Sequence, residues 1–101
     1  MDQAARLPRV LRRRVRIGNP RGLHARSAAR FVKLAATYDA DVTVSNRSGS
    51  VSGTSIMGLM SLGAGFGSEV DLAARGPEAA EVMGALCRFL EDDMDTEDRA
   101  R

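Results

Sequence analysis

One histidine, His24, occurs in this chain of 101 residues, and Arg26 follows two positions later. They lie in Asn19-Pro20-Arg21-Gly22-Leu23-His24-Ala25-Arg26-Ser27-Ala28, the stretch best equipped for chemistry. An imidazole keeps an unprotonated ring nitrogen over much of the range around neutral pH. That nitrogen can attack phosphorus without first losing a proton. A phosphoimidazole is labile, which suits a carrier better than a stable mark. A helical pattern starts at Ala25, so the backbone N–H groups of Ala25, Arg26 and Ser27 are expected to point at phosphoryl oxygens. Arg26 would add charge-assisted hydrogen bonds. No second general acid or base accompanies His24, so transfer would require a partner's active site.

His24 falls in the N-cap neighbourhood, where Ser, Thr, Asp and Asn are the favoured types. A weak cap at a helix start is a local violation of the kind that marks functional positions. On composition alone, a lone histidine is more often structural than chemical. The loop before it, the helix after it and Arg26 in the first turn favour chemistry.

A second stretch, Ser55-Ile56-Met57-Gly58-Leu59-Met60-Ser61-Leu62, reads as a short helix with Ser55 as its N-cap. Phosphate on Ser55 would be favoured by the helix dipole, so modification need not unfold the segment. Ile56, Met57 and Met60 either fill the core or form an apolar docking patch. Leu59 and Leu62 are expected inward, with the other three partly outward. Charge added at Ser55 would then weaken docking.

The elements that position these stretches follow from periodicity. Residues 12–17 alternate, with Val15 and Ile17 on one face and Arg14 and Arg16 on the other. Gly18 to Gly22 is a turn-rich loop. A helix over 25–37 places Ala28, Phe31, Val32 and Ala35 on one face. Strands are expected at 41–45, 50–53 and 69–73, the second short and at an edge. A last helix is expected to open at Gly76-Pro77-Glu78, with Pro in its first turn and a buried stripe of Val82, Met83, Leu86, Phe89 and Leu90. Cys87, the only cysteine, reads as a core or boundary residue. The order βαββαβα predicts an α+β fold, with a four-stranded, mostly antiparallel sheet and three helices on one face. The opposite face would carry Arg14, Arg16, Thr43, Ser45, Glu69 and Asp71.

Length and composition suit one small domain, expected over residues 10–91 between a basic extension (1–9) and an acidic tail (92–101), both expected to be disordered. One Cys and one His exclude an intrachain disulfide and leave no basis for a metal centre. No cofactor is implied. No apolar run approaches a membrane span and no secretory signal is apparent, so a cytoplasmic location without membrane insertion is expected. Residues 1–33 carry ten Arg/Lys against one Asp, whereas residues 34–101 carry five Arg against twelve Asp/Glu. The basic part suits an acidic partner or a phosphoryl group, although Arg12, Arg13 and Arg14 equally fit the solvated edge of a strand. Nucleic-acid binding is not expected, because the basic segment lacks stacking aromatics and any binding motif.

Gly22-Leu23-His24-Ala25-Arg26, with Ala28-Ala29 and Phe31-Val32 behind it, resembles the active-site signature of the HPr family. These are the histidine phosphocarriers of the phosphoenolpyruvate-dependent phosphotransferase system. Thr54 to Gly63 is similar to that family's regulatory serine segment, and the resemblance runs from about Val15 to Leu90. It implies an HPr-like open-faced β-sandwich. It also implies that His24 accepts phosphoryl from enzyme I on Nδ1 and passes it to an enzyme IIA-type acceptor, assisted by Arg26. Ser55 would be the target of an HPr kinase/phosphorylase, and a monomer is expected. Two features depart from the pattern. Ser27 stands where the family commonly has proline, and Arg21 where many relatives have a smaller polar residue. The Ser27 hydroxyl could reach the phosphoryl group or cap a neighbour, and it is expected to alter phosphohistidine hydrolysis without abolishing transfer. The alternative is a regulatory module that docks without transferring phosphate. Sugar-transport and nitrogen-regulatory branches both remain open, with Ser27 and the intact Ser55 segment favouring the regulatory one.

Overall fold

The computed structural model describes residues 9–92. The extension expected at 1–9 and the tail expected at 92–101 fall, apart from Arg9 and Asp92, outside the described residues. The elements are β1 (Leu11–Arg16), α1 (Ala25–Ala36), β2 (Asp41–Asn46), β3 (Gly49–Ser52), α2 (Ile56–Ser61), β4 (Glu69–Arg75) and α3 (Ala79–Glu91). Each expected element is present, with ends shifted by a residue or two. Ile17 lies just beyond β1, fully buried, with its N–H bonded to Ser68 C=O.

All strand pairs are antiparallel, in the order β1-β4-β2-β3. β4 therefore lies between β1 and β2, and β2 between β3 and β4. The connections β1–α1–β2 and β3–α2–β4 are two interleaved split crossovers. Alternation then sorts the side chains. Val15, Val42, Val44, Val70, Leu72 and Ala74 point into the core shared with Phe31, Leu59, Val82, Leu86 and Leu90. On the open face the register sets Arg14 opposite Asp71 and Arg16 opposite Glu69. The first pair bonds at 2.9 Å and the second reaches 3.9 Å. The Arg14 guanidinium is held above its ordinary pKa by the hydrogen bond to Asp71, then by the charges of Asp71 and Glu69. These exposed pairs contribute little stability, and their role is to keep that face wet.

Helix α1 buries Ala28, Phe31 and Ala35, as its apolar spacing requires, with Val32 half-buried. Helix α3 buries Val82, Met83, Leu86, Cys87 and Leu90; Phe89 is only partly covered and meets Phe31 edge-on at 6.2 Å. Its start differs from expectation. Pro77 precedes the helix, and Glu78 is the N-cap but makes no side-chain cap bond. Its Oε1 instead accepts the Asp39 N–H at 2.7 Å. The carboxylate fastens α3 to the turn between α1 and β2 while its charge stays at the positive end of the helix.

Candidate functional site

The corner bearing His24 is built where β1 ends and β4 begins, since Arg16 pairs with Glu69 there. The chain leaves β1 through Gly18, whose N–H bonds Leu90 C=O, then turns on Asn19. Asn19 is buried. Its Oδ1 accepts the Arg21 N–H at 2.8 Å and its C=O accepts the Gly22 N–H at 2.9 Å, so one residue closes two nested turns. Gly22 takes φ +68° and presses against Ala64 and Gly65, where a side chain would not fit. Leu23 then donates its N–H to Ala64 C=O at 2.9 Å. The loop is thus clasped to residues 64–65 just before His24.

His24 is the N-cap of α1, in extended backbone with φ −109° and ψ −178°. Contrary to the expectation of a poor cap, its side chain does the capping. Nδ1 accepts the Arg26 N–H at 3.2 Å. The physical reason is that Nδ1 lies as many bonds from Cα as the Oδ1 of Asp or Asn, and its lone pair can fill the same place. The first-turn N–H groups are accordingly not all free for an anion, because those of Arg26 and Ser27 are given to the imidazole. An accepting Nδ1 leaves the ring proton on Nε2. Nε2 is shielded from solvent and has no hydrogen-bond partner among the described residues.

Ser27 is buried, and its hydroxyl faces inward. Oγ accepts the His24 N–H at 3.0 Å and lies 3.1 Å from Gly22 C=O and 3.2 Å from His24 C=O, both within donating reach. His24 and Ser27 close a reciprocal capping box. Of the two roles open to Ser27 in the sequence, the hydroxyl takes the second: it caps a neighbour. Ala25, Arg26 and Arg21 are exposed beside His24.

Ser55 caps α2 as expected, its Oγ accepting the Gly58 N–H at 2.9 Å. Leu59 and Leu62 are buried, while Ile56, Met57 and Met60 are 40%, 83% and 42% exposed. The expected split between core and surface is present. Ser55 itself lies away from His24 along the sheet. β3 reaches only the level of Thr43 and Ala73 at Ser52, toward the start of β1. Helix α2 then leads back to residues 64–65, which clasp Gly22 and Leu23. The exposed apolar side chains lie along this return path between Ser55 and the His24 loop.

Sequence reasoning missed three features of this corner. Asn19 was read only as a turn former, and its burial is a tertiary effect. Phe66 is 68% exposed in the loop that grips the His24 corner, and a single Phe among glycines was the available signal. The inward hydroxyl of Ser27 depends on where the Gly22 carbonyl falls, which no local pattern gives. Among the described residues, no group of three His, Cys, Asp or Glu could hold a metal ion, and no helix is long and apolar enough to cross a membrane.

The family model described as the PTS HPr component phosphorylation site matches residues 11–92. The chain is 43% identical over 81 residues to the phosphocarrier protein HPr of Cupriavidus necator, covering 80% of this chain and 91% of the relative. It is 34% identical over 85 residues to the phosphocarrier protein NPr of Shewanella violacea, covering 84% and 93%. A crystal structure of the phosphocarrier protein HPr from Bacillus anthracis superposes with a TM-score of 0.77 at 36% identity, covering 80% of this chain and 96% of that one.

Proposed function

The chain belongs to the HPr family of phosphotransferase-system phosphocarriers, and on that premise we propose that its Nδ1 atom of His24 takes phosphoryl from phospho-enzyme I. The group then passes to an enzyme IIA-type acceptor. The observation that carries the assignment to Nδ1 is its bond from Arg26 N–H. That bond requires a lone pair on Nδ1, directed at the helix end. In the transfer, this lone pair forms the new N–P bond. The donor's bond to phosphorus breaks and its electron pair leaves with the donor. The ring proton stays on Nε2, so no base is required at His24. The Arg26 and Ser27 N–H groups, displaced from the imidazole, become available to phosphoryl oxygens, and the N–H of Ala25 and the Arg26 guanidinium complete the proposed anion site.

Partner recognition is assigned to Ile56, Met57 and Met60, joined by Phe66, with exposed Arg21 and Arg26 at the edge. An apolar centre with a basic rim suits an acidic-rimmed partner. Ser55, at the far end of α2, is the proposed target of an HPr kinase/phosphorylase, and phosphate there would oppose docking. Charged residues along β1 support a monomer, since an edge strand bearing Arg12, Arg13, Arg14 and Arg16 resists pairing with a second sheet. We assign the carrier domain to residues 10–91, flanked by non-carrier segments, and a cytoplasmic site of action. We read the chain as part of a regulatory relay, on the strength of its Ser55 segment and of Ser27 in place of the usual proline.

The test is incubation with enzyme I and labelled phosphoenolpyruvate. Acid-labile, base-stable label on the wild-type chain and none on His24→Ala is expected. Equal labelling of His24→Ala would defeat the assignment, and no labelling of either would favour a docking module. Adding candidate IIA proteins then shows which one removes the phosphate; a sugar-specific IIA doing so fastest would overturn the regulatory placement.

A further inference from the structure

We propose that Ser27 is a positioning residue that sets the resting tautomer of His24 and so keeps Nδ1 ready to attack. The inference rests on the phosphocarrier reading only for its kinetic consequence; the tautomer stands on geometry. His24 Nε2 has no hydrogen-bond partner among the described residues. Nothing on that side of the ring therefore distinguishes a donor from an acceptor. The choice falls on Nδ1, which faces the Arg26 N–H at 3.2 Å. A proton on Nδ1 would set two donors against each other, whereas a lone pair there gains a bond.

That preference exists only while the imidazole and the Arg26 amide keep their relative placement, and 3.2 Å is near the long end for such a bond. Ser27 holds both peptide groups that flank the His24 Cα. Oγ accepts the His24 N–H on one side and lies within reach of the His24 C=O on the other. It also reaches Gly22 C=O, tying the helix to the loop before Leu23. The hydroxyl has one proton for two carbonyls, so it is shared or alternates between them without leaving the site. With the His24 backbone fixed, the ring's remaining freedom is rotation about its own side-chain bonds, and the Arg26 bond selects among those. After phosphorylation the Arg26 bond to Nδ1 is lost, yet the Ser27 bond to His24 N–H does not involve the ring. Ser27 therefore preserves the helix start through the cycle and returns the ring to its attacking form.

The readout is the pair of imidazole 15N resonances of His24 at mildly alkaline pH, where a free imidazole is uncharged. Wild-type protein is expected to show the Nε2–H tautomer predominating. In Ser27→Ala the tautomer ratio should fall about three- to tenfold, as for one buried neutral hydrogen bond. The kcat for uptake from phospho-enzyme I should fall only as far as the Nε2–H fraction falls, a smaller factor than the ratio, with KM within about twofold. Thr37→Ala is the control: it removes a hydroxyl that bonds Leu34 C=O at the opposite end of α1 and should leave both readouts unchanged. Should Ser27→Ala not fold, Ser27→Cys keeps the size with weaker bonding and should move the ratio the same way. A wild-type ratio in the Ser27 variant, or an equal change in Thr37→Ala, would overturn the proposal. A wild-type chain that shows the tautomer preference but takes no label would sink the carrier reading while leaving the positioning role intact.

Discussion

Gly22 lies so close to Ala64 that a Cβ on it would come within 2.5 Å of the Ala64 carbonyl oxygen. The contact closes the loop that presents His24, and it cannot relax without moving backbone. Gly22→Ala is expected to cost about 2–4 kcal/mol, from the clash together with its positive φ. Gly63 has a similar φ of +62° but nothing within 4 Å of its would-be Cβ. Gly63→Ala should therefore lose only about 1 kcal/mol. Urea unfolding of both variants separates backbone strain from steric contact, and equal losses would contradict the packing argument.

Asn19 offers a pH test. Its Oδ1 serves Arg21 while its buried Nδ2 has no hydrogen-bond partner among the described residues. Asn19→Asp keeps the acceptor and gives up no bond made by Nδ2. Burial would raise the new carboxyl's pKa in the folded state, since it disfavours the ionised form. A folded pKa above the unfolded one gives stability that is present below the unfolded value and lost as pH rises through the folded one. The variant should match wild type in acid and fall behind by about 1–3 kcal/mol at neutral pH. Thermal melts across the acidic range check this, and a deficit independent of pH would refute it.

Ser55 separates cap from signal. Ser55→Ala removes the bond from Gly58 N–H and should cost about 1 kcal/mol of stability, with labelling of His24 preserved. Ser55→Asp retains an acceptor and adds charge, so stability should hold while the KM for enzyme I rises several-fold. An unaltered KM in Ser55→Asp would remove support for control through this residue.

Met57 and Phe66 carry exposed apolar surface with little role in the fold. Met57→Glu and Phe66→Ser should each change stability by less than about 0.5 kcal/mol. Both should raise the KM for enzyme I, with Met57→Glu giving about a tenfold rise from charge placed at an apolar centre. Steady-state kinetics with unchanged melting temperature is the expected signature. A normal KM for Phe66→Ser would confine the docking patch to α2.

The strands, both long helices and the Ser55 cap were legible in the sequence because period and cap chemistry are local. Val15 and Ile17, then Ala28, Phe31 and Ala35, announce their faces without tertiary knowledge. The start of α3 was misplaced because the Glu78 carboxylate is claimed by Asp39, a residue 39 positions away. The capping role of His24 was missed because it rests on one rotamer, and rotamers are decided by packing. Asn19 and Ser27 bond within the 18–24 loop and the first turn of α1, and that loop is held in place by the clasp of Gly22 and Leu23 on residues 64–65, a junction that the interleaved crossovers create.

The Arg26 amide has a use beyond holding the ring. On the proposed chemistry, loading the carrier and freeing this one N–H from Nδ1 are the same event. Its proton resonance is then a built-in gauge: one cross-peak position for empty molecules and another for charged ones. The fraction of 15N-enriched carrier in each state could be counted in a mixture with its partners, without radioactive phosphate or chromatography.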